Sequence, residues 1–276
     1  MKVQIARHLI RSFFKHLSLL LCGRFGHSAG KDSKPMPAQK KFTAAALLLS
    51  LAGLSSLCGP ALAQPAATPQ DTMAQRMQAC TVCHGKEGRA SNSGYFPRIA
   101  GKPAGYLFHQ LLNFRDGRRH NVAMNHLVEH LSDDYLREIA GYFAALELPY
   151  PPGQPSTAPG PLLARGEQLV RKGDASLSVP ACVACHGERM TGALPTIPGL
   201  LGLPRDYLIG QMGAWRTGLR RAHAPDCMSA IAKRLSASDV AAVATWLSAQ
   251  TPPVDTRPAA SIQRPLPLEC GSDVQP

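Results

Sequence analysis

Apolar residues recur with helical spacing in two segments of the chain, one in each half. In both segments the apolar positions follow i, i+3, i+4 and i+7, which is the spacing of one buried helix face. The first set is Leu136, Ile139, Ala140 and Phe143, and the second is Val240, Val243, Ala244 and Leu247. Ser132 and Ser236 precede these sets as candidate N-caps, and Asp239 completes an approximate capping box with Ser236.

A further helix is predicted earlier in each half. Pro103 and Pro204 stand where a helix can begin, and Gly117 and Gly218 follow its expected end. No stretch shows the sustained alternation of a strand. The pattern therefore predicts an all-α protein.

The two halves repeat one another. Cys80-Thr-Val-Cys83-His84 aligns with Cys182-Val-Ala-Cys185-His186 at an offset of 102 residues, and Gly101–Arg119 aligns with Gly202–Arg220 at an offset of 101. Such repetition indicates duplicated domains. They are predicted at 64–150 and 162–250, with a proline-rich linker at 151–161 and a proline-rich tail at 251–276.

The net charge of +12 comes mostly from the N-terminus. Residues 1–63 hold nine of the 30 Lys and Arg and one of the 18 Asp and Glu, so residues 64–276 hold 21 basic and 17 acidic groups. A net charge of +4 on this larger part does not indicate nucleic-acid binding.

Residues 1–63 are predicted to be an N-terminal extension and a secretory signal peptide. Two lysines precede the uncharged apolar segment Phe42–Leu57, and an A-x-A site ends at Ala63. Such a signal peptide would direct the chain to the periplasm, and cleavage after Ala63 would release it there with at most peripheral membrane association. A retained membrane anchor is the weaker alternative, since it needs about 20 apolar residues. Met36 competes with Met1 as the start.

Both Cys-x-x-Cys-His motifs match the attachment signature of c-type haem. On a helix, residues i and i+3 share a face, so two thiols can reach one porphyrin edge and the following histidine can ligate the iron. The predicted cofactors are two covalently bound c-type haems, at Cys80, Cys83 and His84 and at Cys182, Cys185 and His186. A zinc ribbon needs a second cysteine pair about 15 to 20 residues after the first, and a thioredoxin-like pair needs a βαβ context. Neither requirement is met.

Few large side chains are available to build the second core. Residues 161–276 contain three aromatic residues, so a small helical domain there needs another source of buried apolar area. A porphyrin would supply it.

Met124 and Met228 are the predicted sixth ligands of the two irons. They occupy equivalent repeat positions, 40 and 42 residues after their histidines. A lone methionine is more often core filler, but recurrence favours ligation. His120, His126 and His130 flank Met124 and are possible competitors, although each is more simply a solvated side chain.

These motifs together resemble the cytochrome c4 family over roughly residues 72 to 250. The matching segments are Phe96-Pro97-Arg-Ile-Ala-Gly101, Tyr106-Leu-x-x-Gln110-Leu-x-x-Phe114-Arg115-x-Gly117-x-Arg119, Met124 and Leu131-Ser-Asp133, followed by a second such domain. The resemblance implies two tandem class I cytochrome c domains, each a small helical bundle around a covalent haem, related by a pseudo-twofold axis and with His/Met-ligated iron.

The resemblance also implies supporting residues. The carbonyls of Pro97 and Pro198 would accept the N–H of His84 and His186, which fixes each ring and raises its basicity. Arg115 and Arg216 would hold haem propionates, since a guanidinium pairs with a carboxylate. Ordinary surface charge is an equal alternative for both arginines.

Cys227 and Cys270 depart from the family pattern. They are the two cysteines left in residues 64–276 once the haem motifs are excluded, and an even count outside the cytoplasm favours a disulfide. The alternative makes Cys227 an iron ligand, as in some dihaem enzymes that oxidise sulfur compounds.

The leading functional prediction is a periplasmic dihaem electron-transfer protein without substrate turnover. The resemblance implies redox protein partners, with a quinol-oxidising complex or a dehydrogenase as donor and a terminal oxidase as acceptor. One alternative is a dihaem oxidoreductase of the thiosulfate dehydrogenase type, with Arg220, Arg221 and His223 as conceivable anion-binding groups. Another is an electron-transfer subunit docked to a dehydrogenase or oxidase.

Overall fold

The computed structural model describes residues 70–90, 95–153, 155–262 and 265–273. All of them belong to one compact unit, Thr68–Pro276. The predicted signal peptide and its cleavage site lie outside the described residues. Among the helices of the described ranges, none combines the length and the apolar character needed to span a bilayer.

The first repeat is helical. Its helices are α1 (Met73–Arg76), α2 (Gln78–His84), α3 (Ala104–Arg115), α4 (Val122–Val128) and α5 (Asp133–Ala144). The apolar face predicted for α5 is buried and packs with Leu107, Phe108 and Phe114 of α3. Ser132 caps α5, because its hydroxyl accepts the N–H of Tyr135 at 3.3 Å.

The second repeat has the same order of helices. They are α6 (Gly160–Arg171), α7 (Val183–His186), α8 (Arg205–Thr217), α9 (Cys227–Arg234) and α10 (Ala237–Ala249). The predicted capping box forms between Ser236 and Asp239. Helices α6 and α10 approach closely at Gly166, where an added Cβ would collide with the Ala242 carbonyl and lie 2.7 Å from the Trp246 Cβ.

A short hairpin follows α7. Strands β1 (Gly192–Ala193) and β2 (Ile197–Pro198) pair antiparallel, with Gly192 opposite Pro198. Two-residue strands are too short to show alternation, which is why the sequence pattern did not predict them. Gly192 has φ +90° and leaves no room for a Cβ against the Ile197 carbonyl, so glycine is needed at this turn. The hairpin fixes the position of Pro198.

The proline-rich tail packs against the second repeat. The Ala259 N–H donates to the Gly192 carbonyl at 2.9 Å, and the Leu194 N–H donates to the Ala259 carbonyl at 2.8 Å. Further along, Cys270 forms a disulfide with Cys227 at the start of α9. The tail is therefore tied both to the hairpin after α7 and to the helix that carries Met228.

The two repeats meet around a short antiparallel bridge between Arg119 and Arg220. The His120 N–H donates to the Leu219 carbonyl at 2.9 Å, and the Arg221 N–H donates to the Arg118 carbonyl at 2.6 Å. Equivalent segments thus pair with each other, as a pseudo-twofold relation requires.

Candidate haem sites

In the first repeat, α2 presents the attachment motif. Cys80, Cys83 and His84 occupy positions i, i+3 and i+4 of one helix, and both thiols are half-buried. The His84 Nδ1 lies 2.8 Å from the Pro97 carbonyl oxygen. A carbonyl only accepts, so Nδ1 carries the proton and Nε2 keeps its lone pair.

The electrostatics of His84 favour the neutral ring that a metal needs. Burial lowers the pKa of His84, the bond to Pro97 opposes this, and the positive charge of Arg119 lowers it further. Burial also raises the pKa of the Cys80 thiol.

The second repeat has the same arrangement on α7. The His186 Nδ1 lies 2.8 Å from the Pro198 carbonyl oxygen, which β2 supplies. Burial lowers the pKa of His186, the Pro198 bond opposes this, and the charge of Lys102 from the first repeat adds to the lowering. Burial raises the pKa of Cys182 to about 11, and the nearby Cys185 adds to this increase.

Both candidate sulfur ligands begin helices. Met124 lies in the first turn of α4, and its N–H donates to the Asn121 side chain at 3.1 Å. Met228 is the second residue of α9, whose N-cap is Asp226. Both methionines are half-buried.

The competing histidines of the first repeat face solvent. His126 and His130 are 82% and 90% exposed, and both lie beside the carboxylate of Glu129. His120 is also exposed. Their positions fit the simpler interpretation as solvated side chains.

Arg115 and Arg216, the two predicted propionate partners, have partners within the protein. Arg115 forms ion pairs with Asp116 and Asp133, at 3.0 and 2.6 Å. The Arg216 Nη1 donates to the Leu235 carbonyl at 2.9 Å.

Sequence reasoning did not single out a second pair of arginines for this role. Arg119 and Arg220 lie at the contact between the repeats and both donate to the side chains of Gln110 and Gln211, at 2.8 to 3.0 Å. Arg220 is 5% exposed, and in the described part of the chain no carboxylate pairs with either guanidinium. The sequence could have pointed to these two arginines, because they occupy equivalent positions in the two repeats.

The second repeat also contains a buried donor without an acceptor. The Trp215 Nε1 is buried and has no hydrogen-bond partner among the described residues, and the Arg220 guanidinium lies 3.8 Å from the Trp215 ring centroid. Buried donors and cations of this kind need an acceptor or an anion. Carboxylates of a haem would satisfy both, so the residues present fit the group.

The disulfide decides the role of Cys227. Its sulfur is bonded to Cys270 and is therefore not a thiolate that could bind iron. The simpler of the two sequence interpretations is confirmed. Of the three groups suggested for an anionic substrate, Arg220 is buried in the contact between the repeats, while Arg221 is exposed and His223 is half-buried.

Comparison with known proteins decides the family. No family model matches the chain. A cytochrome c4 of Pseudomonas aeruginosa is 33% identical over 203 residues, which is 73% of this chain and 94% of the relative. The chain belongs to the cytochrome c4 family. It therefore carries two covalent c-type haems and transfers electrons, as the sequence predicted.

Other relatives and a solved structure are also similar to this chain. A protein named thiosulfate dehydrogenase electron acceptor, from Thiomonas intermedia, is 35% identical over 74% of this chain and 90% of the relative. The reduced cytochrome c4 of Pseudomonas stutzeri has a TM-score of 0.55 and 28% identity, covering 63% of this chain and 95% of that one. This confirms the all-α dihaem fold.

A third neighbour is a longer protein. The thiosulfate dehydrogenase (TsdBA) of Marichromatium purpuratum has a TM-score of 0.56 and 33% identity over 63% of this chain. The match covers 36% of that longer chain.

Proposed function

We propose that this chain is a periplasmic electron carrier that accepts electrons from a thiosulfate-oxidising dehydrogenase and passes them to a respiratory acceptor such as a terminal oxidase. The relatives named as electron acceptors of thiosulfate dehydrogenase support the donor. The predicted signal peptide, with cleavage after Ala63, supports the periplasmic location. The predicted repeats, linker and tail supply its domain organisation.

The observation that carries the proposal is the twin histidine geometry. At both sites an imidazole is held by Nδ1 to a backbone carbonyl at 2.8 Å, which leaves Nε2 for the iron. Each haem supplies a reversible one-electron couple when bound. His84 and His186 would be the proximal ligands and Met124 and Met228 the distal ones.

The cysteines hold the cofactor by thioether bonds in this proposal, at Cys80 and Cys83 and at Cys182 and Cys185. Arg115 and Arg216 remain candidate propionate partners, although other groups already engage them. Arg119 and Arg220 are further candidates because no carboxylate of the described residues pairs with them, and Trp215 is one because its buried Nε1 has no acceptor there. Pro97 and Pro198 orient the proximal rings.

Electron carriage is favoured over turnover of thiosulfate by this chain. A sulfur ligand from Cys227 would need a thiolate, and the disulfide to Cys270 withholds it. With Met124 and Met228 as iron ligands, neither iron would keep an open position for a substrate. The chain would then need a separate dehydrogenase to oxidise thiosulfate.

The test measures haem reduction by thiosulfate with and without a thiosulfate dehydrogenase. We expect no reduction by thiosulfate alone and full reduction when a catalytic amount of the dehydrogenase is added. The control replaces the dehydrogenase with heat-inactivated enzyme. Reduction by thiosulfate alone would identify this chain as the dehydrogenase, and no reduction in either case would remove the proposed donor.

A further inference from the structure

Lys102 crosses from the first repeat to the second. Its side chain is 3% exposed, and its Nζ donates to the Gly199 carbonyl at 2.9 Å. Gly199 follows Pro198, whose carbonyl lies 2.8 Å from the His186 Nδ1. A buried ammonium group therefore lies one peptide unit from the backbone that orients the second proximal histidine.

This ammonium group has no carboxylate partner among the residues that the structure describes. The Tyr150 ring centroid lies 5.4 Å from Nζ, and the Lys102 charge also acts on the side chain of Tyr106. The positive charge is thus poorly neutralised where the dielectric constant is low and its field reaches furthest.

The second repeat has no charged residue at the position equivalent to Lys102. The position equivalent to Lys102 is Leu203, a buried apolar residue. The first repeat has Arg98 where the second has Gly199, but the Arg98 guanidinium turns to the carbonyls of Leu148 and Pro149, at 2.6 and 3.1 Å. The buried cation beside the second proximal site therefore comes from the other repeat, whereas the buried Arg98 and the Arg119 near the first site belong to its own repeat.

We infer that Lys102 raises the reduction potential of the second haem from across the contact between the repeats. Reduction adds one negative charge at the haem, and a nearby buried cation stabilises that added charge. The inference rests on the proposed ligation by His186 and Met228. Lys102 would act on the second haem through its charge alone, without touching the iron.

The test is a spectroelectrochemical titration of the complete, haem-loaded protein and its variants. Lys102→Met removes the charge and keeps most of the side-chain length, while Lys102→Arg keeps the charge. Lys172→Met removes one charge from an exposed position of the second repeat and is the matched control. A Met228→His variant, whose second haem should fall to a much lower potential, assigns that component of the titration.

We expect Lys102→Met to lower the equilibrium constant for reduction of the second haem by roughly tenfold. Two unit charges around 10 Å apart interact with about this free energy when the effective dielectric constant is ~20. For a one-electron couple this is about 59 mV. The first haem should shift much less, and Lys102→Arg and Lys172→Met should leave both potentials nearly unchanged.

Three outcomes would overturn the inference. They are an unchanged second potential in Lys102→Met, equal shifts of both haems, and an equal effect of Lys102→Arg, which would indicate a loosened contact instead of lost charge. A protein with two haems and any of these results would leave the proposed function intact. A protein without haem, or a Met228→His variant that moves neither component, would instead count against the proposed ligation.

Discussion

We predict that removing the disulfide between Cys227 and Cys270 lowers the free energy of unfolding by an amount that follows from the length of the loop it closes. The two cysteines are 43 residues apart in the chain. Replacing both by serine opens this loop in the unfolded protein without leaving a lone thiol. The native tail would keep its backbone bonds to the hairpin, so the folded state should change less than the unfolded one.

The expected loss follows from loop-closure entropy. A closed loop of about 43 residues lowers the entropy of the unfolded chain by about 13 cal/mol/K, which corresponds to about 4 kcal/mol at 25 °C. Domains of ordinary stability have about 5–15 kcal/mol in total. The loss is therefore a large part of the stability of the second repeat.

The measurement is guanidinium unfolding of the haem-loaded protein, followed by far-UV circular dichroism. Wild type treated with a dithiol reductant is the internal control, because the reductant opens this disulfide and leaves thioether bonds intact. The haems of every sample are first reduced with ascorbate, which leaves disulfides intact, so that the dithiol changes only the disulfide. Treated wild type and the double serine variant should show the same lowered midpoint, and the reductant should not change the variant.

If the double serine variant lost less than about 1 kcal/mol of unfolding free energy, the disulfide would restrict the unfolded chain too little to be a major source of stability. An effect of the reductant on the double serine variant would show that it acts elsewhere. Either result would remove the tail disulfide as a major source of stability.

Three further predictions use single substitutions. Gly166→Ala should lower the free energy of unfolding by about 1–3 kcal/mol in denaturant, because the added Cβ overlaps α10. The control Gly213→Ala in α8 has open space around it and should be neutral or stabilising by up to ~1 kcal/mol. Equal effects of the two variants would contradict the close approach of α6 and α10. Met124→Ala and Met228→Ala should each abolish the iron–sulfur absorption of one haem and lower its potential, and an unchanged spectrum in both would reject these ligands. Burial acts to raise the pKa of Asp239, but the hydrogen bonds from Ser236 and Arg165 outweigh it, so this pKa lies below its ordinary value of 3.8. The Asp239 carboxylate therefore contributes to stability above pH 3.8, and this contribution is lost as the pH falls through the lower pKa of the folded protein. Asp239→Asn should reduce the dependence of the unfolding midpoint on acid pH. An unchanged dependence would contradict this role of Asp239.

Local features of the fold could be predicted because each depends on residues that are close in the chain. The buried face of α5 and the capping box of α10 follow from side-chain spacing along one helix. The hairpin could not be predicted in this way. Its two-residue strands are held by the closeness of Gly192 to Pro198 and by the tail at Ala259.

The proximal site was predictable for a different reason. A repeated motif fixes two thiols and a histidine on one turn of helix, and the family resemblance supplied the carbonyl that each histidine meets. The resemblance also suggested Arg115 as a propionate partner, which stays a prediction, and the structure adds that Asp116 and Asp133 form ion pairs with its Nε and Nη1. Whether a charged side chain is already paired depends on neighbours that sequence spacing alone does not specify.

From the sequence alone, α3, α5, α8 and α10, the duplication and the two attachment motifs could be predicted, because periodicity and repetition are properties of one continuous chain. Only the folded structure settled that Cys227 pairs with Cys270 and that Lys102 reaches Gly199. It also brought Arg119 and Arg220 together where no carboxylate of the described ranges pairs with them. Lys102 and Gly199 are 97 residues apart. Contacts of that kind arise only when the two repeats pack together, since burial and charge pairing depend on distance in space.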